Sequence, residues 1–316
     1  MRKIKNNIQL SKDVKPLFKY IGGKTWLKEK LRQELISVLD KKVIDMYVEP
    51  FAGALGSFLS IYDILWQYGI KNVVLSDINP VLIKTYCLIK DNPEILIDNF
   101  IRFEKHFVEI CAIEDIKKLS KEEIKSSLFA ANCYFNDVKK KFNESKGIDN
   151  EEQCARLIFL QKHSFNGIYR ENLKGQYNTP FNWSVADMLD DIYPKVMALH
   201  TIFNQFNLSF LTKSFIDINY NENNLYYLDP PYLNTDTGEN KYNKESFSLS
   251  EQLMLIDKIK DTSFIYSNHA HSALIEQFEK LESIRIEYID RKNTISASTE
   301  SRKKDKKEIL ITRIKG

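Results

Sequence analysis

The sequence predicts an α/β fold: a doubly wound sheet, interrupted by a mainly helical insertion and closed by an antiparallel strand pair. Three observations carry this reading. Five short apolar runs each end at a turn or an acid, the pattern of parallel strands buried on both faces. A helix with a single apolar face lies between the first two runs, and strand–helix alternation is what a parallel sheet requires. Two further strand-like runs near the end flank a long polar, basic stretch, which suits a hairpin better than a crossover.

In order, the runs are Met46–Val48 before Glu49-Pro50, Val73–Leu75 before Asp77, Leu208–Leu211, Leu225–Leu228 before Asp229, and Phe264–Tyr266 before Asn268. The first helix places Leu55, Phe58, Leu59, Tyr62, Leu65 and Trp66 on one face. The terminal pair is I-R-I-E-Y-I (284–289) and E-I-L-I-T-R-I (308–314). From about 91 to 190 the alternation stops. Lys, Glu and Asn dominate at helical apolar spacing, so an inserted domain is expected between parts 1–90 and 191–316. The lysine-rich part of it, 115–150, matches no motif.

Composition narrows the class. With 316 residues the chain can bury a large core, and a net charge of +3 excludes a polycation while permitting a local basic groove. Cys87, Cys111, Cys133 and Cys154 have no C-x-x-C spacing, which argues for reduced thiols in a cytoplasm and against structural zinc. The start, M-R-K-I-K-N-N, lacks the apolar stretch of a signal peptide, and no run approaches the roughly 20 apolar residues of a membrane span.

Five stretches can carry chemistry. In N-L-Y-Y-L-D-P-P-Y-L-N (224–234), Asp229-Pro230-Pro231 would at its plainest end a strand. Its sharper reading is a stiff corner that offers the Asp229 carboxylate and the Pro230 carbonyl to the two N–H bonds of an amino group, with the Tyr232 ring stacked on the attached heterocycle. V-E-P-F-A-G-A-L-G-S-F (48–58) is a strand, glycine turn and helix, the shape that binds nucleosides at strand ends. Asp77, after the next strand in V-V-L-S-D-I-N-P, is placed to hold a ribose. The absence of G-x-G-x-x-G argues against a pyrophosphate cofactor. P-L-F-K-Y-I-G-G-K (16–24) presents Lys24 on a glycine turn beside Tyr20, either as a solvated lysine or as an anion ligand. The segment H-S-F-N-G-I-Y-R-E-N-L-K-G-Q-Y-N-T-P-F (163–181) is a turn-rich hairpin whose Asn and Arg can read base edges. R-K-K-D-K-K (302–307) is a charge run open to solvent or to phosphates.

Taken together and in this order, the motifs resemble the DNA adenine-N6 methyltransferases of the Dam type, the D12 class in which the cofactor motif precedes D-P-P-Y. The likeness covers most of the chain, including F-K-Y-I-G-G-K, V-E-P-F-A-G, L-S-D-I-N, the 163–181 segment, L-D-P-P-Y, Y-S-N-H and the I-S-A-S…R-K-K stretch. Tyr20 stands where the family often has tryptophan, and Leu55 where its second glycine is expected, with Gly56 one step later.

The resemblance implies a Rossmann-like sheet that uses S-adenosylmethionine, and a target-recognition domain over 91–190. It implies a cytoplasmic enzyme, bacterial or phage-encoded, that methylates N6 of an adenine flipped from double-stranded DNA and uses no metal. A cognate restriction endonuclease is a candidate partner. Asp229, Pro230, Pro231 and Tyr232 become the catalytic corner. Cofactor contacts fall on Tyr20, Gly22, Gly23, Lys24, Phe51, Ala52, Gly53, Asp77, Ser214, Phe215 and Asp229. DNA contacts fall on Phe165, Asn166, Gly167, Ile168, Arg170, Asn172, Pro180, Arg302 and Lys303, with Arg170 on a guanine and GATC, or a GA-containing relative, as the site. The rival readings are an RNA or protein amino-methyltransferase, a DNA-binding protein with an inactive core, and a nucleotide-dependent oxidoreductase.

Overall fold

The computed structural model of the chain describes residues 14–19, 27–111, 120–148, 150–184, 188–232, 247–291 and 306–316. Within them lie strands β1 (Met46–Glu49), β2 (Asn72–Asp77), β3 (Asn207–Thr212), β4 (Asn224–Leu228), β5 (Ser263–His269), β6 (Ile284–Arg291) and β7 (Lys306–Arg313). They form one sheet in the order β3-β2-β1-β4-β5-β7-β6. The first five are parallel, and β7 runs antiparallel to both β5 and β6.

Every predicted run lies in a strand, save Ile314 at the end of the last one, and most strands reach further than the apolar stretch. The reason is a polar row at the amino ends. Met46 pairs with Asn72 and Asn224, and Asn72 with Asn207, so the ladder continues through residues that hydrophobic patterning passes over. Asn207 Nδ2 also donates to Asn72 Oδ1 at 3.1 Å.

The sheet is covered on both faces, as its apolar runs require. On β4, Leu225 and Tyr227 enter one core while Tyr226 and Leu228 enter the other. The first core takes up α1 (Lys28–Leu39), α2 (Gly56–Gln67), α3 (Pro80–Asp91) and α8 (Leu189–Phe203); the second takes up α9 (Leu249–Ile259) and α10 (Ser272–Phe278). Between α3 and α8 the chain forms α4 (Pro93–Ile110), α5 (Lys121–Ser127), α6 (Phe129–Glu144) and α7 (Glu151–His163). Helix α7 is central to this group: it packs on α3, α4 and α6, and Leu157, Ile158, Phe159 and Leu160 are all fully buried.

Strand order reverses between β1 and β4. The chain runs outward through β2 and β3, then returns to the other side of β1, and the carboxyl ends of β1 and β4 border the crevice where open α/β sheets bind ligands. Glu49 ends β1, and Asp229 immediately follows β4.

Candidate active site

Prolines have no N–H, so the corner Asp229-Pro230-Pro231-Tyr232 cannot be held through its own proline amides. It is held through its acceptors and its ring. Ser267 on β5 donates its hydroxyl to Asp229 Oδ1 at 3.0 Å, and shares a 3.2 Å hydrogen bond with the Tyr227 hydroxyl. Gln252 Nε2 on α9 donates to the Pro231 carbonyl at 3.1 Å. The Tyr232 hydroxyl donates to Glu308 Oε2 on β7 at 3.1 Å, while its ring meets His269 edge-on with centroids 4.4 Å apart. Burial, and then the negative charges of Asp229 and Glu308, push that hydroxyl far above its ordinary range, so it stays protonated and donates.

The glycine turn lies at the next strand end. The Ala52 N–H donates to the Ser76 carbonyl at 2.8 Å, and the Gly53 N–H donates to Asp77 Oδ2 at 3.0 Å. The Asn79 N–H donates to Asp77 Oδ1 at 2.9 Å, and the Tyr86 hydroxyl donates to the Gly53 carbonyl at 2.7 Å. Asp77 is thus tied to the turn that it was expected to complement. Leu55 takes the glycine-like conformation itself, with φ at +63°, while its side chain is only 1% exposed. A left-handed non-glycine residue costs about 1–2 kcal/mol, and core burial offsets it.

Ser214 lies beside Asp77, because the Ser76 hydroxyl donates to the Lys213 carbonyl and the Lys213 N–H donates to the Asp77 carbonyl. Ser214 Oγ accepts from the Ile216 N–H at 3.4 Å. The Phe215 ring is packed away between Phe51, at 5.7 Å, and Phe247, at 5.1 Å. The residues just after these acidic and hydroxyl positions, Ile78 and Ile216, are by contrast 56% and 45% exposed.

Glu49 was not singled out from the sequence, although it shows the signal used for Asp77 and Asp229, an apolar run ending in an acid. It is fully buried, with Oε1 accepting from the Tyr47 hydroxyl at 2.5 Å and Oε2 from the Ser57 hydroxyl at 3.2 Å. Burial pushes its carboxyl up to about 8; the Tyr47 and Ser57 hydrogen bonds pull the other way, and the charge of Asp229 adds to the rise.

The 163–181 segment is a hairpin that starts where α7 ends. Its rungs are Asn182 N–H to His163 O, Phe165 N–H to Pro180 O, Asn178 N–H to Arg170 O, and Asn172 N–H to Gln176 O, all between 2.8 and 3.0 Å. Asn166 and Gly167 are both left-handed, and a Cβ on Gly167 would lie 3.2 Å from the Gln161 carbonyl. Phe165 and Leu173 project into solvent at 55% and 58% exposure. Arg170 is oriented from behind: its Nε donates to Asn178 Oδ1 at 2.8 Å and its Nη2 to the Asn178 carbonyl at 3.3 Å. Asn172 shapes the tip, its Oδ1 accepting from the Lys174 and Gln176 amides. Pro180 is exposed and Ile168 half-buried, and Ile168 forms a bridge to Lys19, just ahead of the predicted G-G-K turn. At the root of the hairpin, buried His163 Nε2 meets Glu104 Oε2 at 2.8 Å.

With this arrangement in view, the comparison with known families is direct. The sequence profile of the D12 class N6 adenine-specific DNA methyltransferases matches residues 20–295. The chain belongs to this family. It is 29% identical to the type II methyltransferase M.MjaIII of Methanocaldococcus jannaschii over 95% of this chain and 99% of that one. It is 26% identical to the type II methyltransferase M1.LlaDCHI of Lactococcus lactis over 98% of this chain and 97% of that one. The DNA adenine methylase of Haemophilus influenzae is 26% identical over 94% and 93%. The chain is an adenine-specific DNA methyltransferase.

For this D12 enzyme, the sheet brings Asp229, Pro230, Pro231, Tyr232, Phe51, Ala52, Gly53, Asp77, Ser214 and Phe215 to one edge, and the hairpin carries Phe165 to Pro180. Tyr20, Gly22, Gly23, Lys24, Arg302 and Lys303 lie outside the described residues. No described helix is long and apolar enough to cross a membrane.

Proposed function

We propose that this enzyme transfers the methyl group of S-adenosylmethionine to N6 of an adenine turned out of duplex DNA, with the D-P-P-Y corner as its catalytic centre. The observation that carries this reading is the anchored Asp229: one carboxylate oxygen is engaged by Ser267, in a corner whose backbone is stiffened by two prolines. Adenine N6 is a poor nucleophile because its lone pair is delocalised into the ring. Asp229 and the Pro230 carbonyl each accept one N6–H and draw the nitrogen toward tetrahedral geometry, which favours the transition state over the flat ground state. S-adenosylmethionine supplies a methyl group on a positively charged sulfur, open to in-line displacement. Fixed placement of the two acceptors lowers the barrier further. Flipping the adenine costs a few kcal/mol, and stacking on Tyr232 returns about 1–3 kcal/mol.

The strand ends suit such a cofactor. Asp77, whose carboxylate accepts from the Gly53 and Asn79 amides at the strand end, would hold the ribose hydroxyls, while Ile78 and Ile216 offer apolar surface to a purine. Phe51, Ala52, Gly53, Ser214 and Phe215 complete this wall, with Phe215 acting by supporting Phe51. Tyr20, Gly22, Gly23 and Lys24 join by family resemblance alone.

Sequence reading falls to the hairpin within a recognition domain over 91–190, with Arg170 on guanine O6/N7 and GATC or a GA-containing relative as the site. Phe165, Asn166, Gly167, Ile168, Asn172 and Pro180 support that reading, and Arg302 and Lys303 would add phosphate contacts. A companion endonuclease fits the type II names of its relatives, and a cytoplasmic location fits an enzyme that acts on DNA.

The test is incubation of unmethylated DNA with methyl-labelled S-adenosylmethionine, followed by mapping at single-base resolution. N6-methyladenine in one recurring context is expected. Absence of label, or label on another base, overturns the proposal.

A further inference from the structure

Beyond the four residues of the corner, a relay of buried side chains ends on it. It begins at the His269 amide, which donates to Asn268 Oδ1 at 2.8 Å; Asn268 Nδ2 donates to the Tyr266 hydroxyl at 2.8 Å. The Tyr266 hydroxyl donates to Gln252 Oε1 at 2.7 Å, and Gln252 Nε2 donates to the Pro231 carbonyl at 3.1 Å. Asn268, Tyr266 and Gln252 are each fully buried.

The direction of every bond is set. Asn268 must present its oxygen to the amide and hence its nitrogen to Tyr266. The tyrosine proton must then point at Gln252, whose nitrogen must face the corner. A buried glutamine with one flexible end would be a poor clamp; one whose amide orientation is dictated from the far side is a good one. The corner needs such a clamp. Pro230 and Pro231 contribute no N–H, and Ser267 secures only the side chain of Asp229. The Pro231 carbonyl lies in the peptide plane next to the one that carries the Pro230 carbonyl, and the Pro231 ring locks φ between the two planes, so holding the Pro231 carbonyl restricts where the Pro230 carbonyl can point. The same relay reaches the target-stacking ring, since His269 abuts Tyr232. Helix α9 presents Gln252 in its first turn, held there by the Ser248 capping box with Glu251.

We infer that Gln252 is a positioning residue for methyl transfer, holding the Pro230 carbonyl in line with the N6–H through the Pro231 peptide, with Tyr266 fixing its amide. The inference rests on the catalytic role proposed for the corner. Gln252 touches no reacting atom. Its contribution is to the transition state and not to the binding of either substrate.

The experiment is single-turnover methyl transfer, with excess enzyme over a duplex carrying the wild-type target site. That rate constant does not depend on how much of a variant preparation is folded. Gln252→Met matches the size of glutamine and cannot donate; Tyr266→Phe leaves Gln252 in place but removes what orients it. Gln252→Met is expected to slow the single-turnover rate about 10- to 100-fold, with unchanged Kd for S-adenosylmethionine and for DNA. Tyr266→Phe should show the same pattern to a smaller degree. Unchanged single-turnover rates in the folded fraction of both variants, or losses that appear only in Kd or thermal stability, overturn the inference and leave Gln252 a satisfied core amide. Failure of the underlying reading looks different: there, wild-type protein itself gives no N6-methyladenine, or Asp229→Ala retains turnover.

Discussion

The corner proposed for catalysis and the hairpin proposed for recognition are both turn-rich and polar in sequence, yet they are anchored differently. The corner sits on the ends of fully buried strands and is gripped from three sides, by Ser267, Gln252 and Glu308. The hairpin is held from α6, where Asn143 pairs with the Tyr177 backbone and Tyr177 is buried, and beyond that by its own rungs and by left-handed residues at Asn166 and Gly167, while its Phe165 and Leu173 side chains stand in solvent. Chemistry on a weak nucleophile needs acceptors that do not move; reading a duplex needs side chains that reach. The difference means that damage to each region should show in a different observable.

The largest expected effect is at the corner. Asp229→Ala should abolish methylation while leaving DNA binding intact; substantial residual turnover would remove Asp229 from the chemistry. Ser267→Ala leaves Asp229 one donor short, and its single-turnover rate should fall by about 10-fold, an effect a purely structural serine would not produce. On the hairpin, Arg170→Ala should lower discrimination at one base by about 1–3 kcal/mol without changing affinity for the cofactor. Competition between the target duplex and a single-base variant measures it, and unchanged preference would mean that Arg170 reads nothing. Asn178→Ala, which frees the guanidinium without removing it, should relax the same position by less.

The least effect on methylation is expected at Glu49, beside the corner, where the readout is stability. Its folded carboxyl titrates near about 8 against an ordinary 4.5, so between those values the folded state keeps a proton that the unfolded chain has lost. Stability from this group is therefore full below about 4.5 and is lost as pH rises toward about 8. Glu49→Gln should flatten that part of the Tm-against-pH curve. A curve identical to wild type across this interval would show that the buried carboxyl does not titrate there.

How much of this was legible depended on the range of the interaction. The strand runs were readable because both faces of the sheet are buried, and their asparagine-edged starts were not, because those residues join the ladder through backbone and side-chain hydrogen bonds that leave no apolar pattern. Asp229, Asp77 and the glycine turn were readable as local patterns. Their partners were not: Gln252, Ser267 and Glu308 reach the corner across 21, 38 and 76 residues, and a single buried polar residue carries no periodic signal. The bridge from Lys19 to Ile168, which joins two motifs that looked independent, is hidden for the same reason. Leu55 teaches the reverse. Leucine stands where the family's second glycine is expected, yet the backbone keeps the left-handed path there, with the leucine side chain anchored in the core. Glu49 shows the same local pattern, an apolar run ending in an acid, but its burial and the Tyr47 and Ser57 hydroxyls that engage it are visible only in the fold.

The separation of chemistry from reading is tested most directly with the Asp229→Ala protein. Duplexes that it retains from a random pool, in the presence of S-adenosylmethionine, would be sequenced and compared with the context that wild-type enzyme methylates. The account predicts the same context in both, with no methyl on the retained duplexes. Retention without sequence preference, or methylated adenine among the selected duplexes, would contradict it.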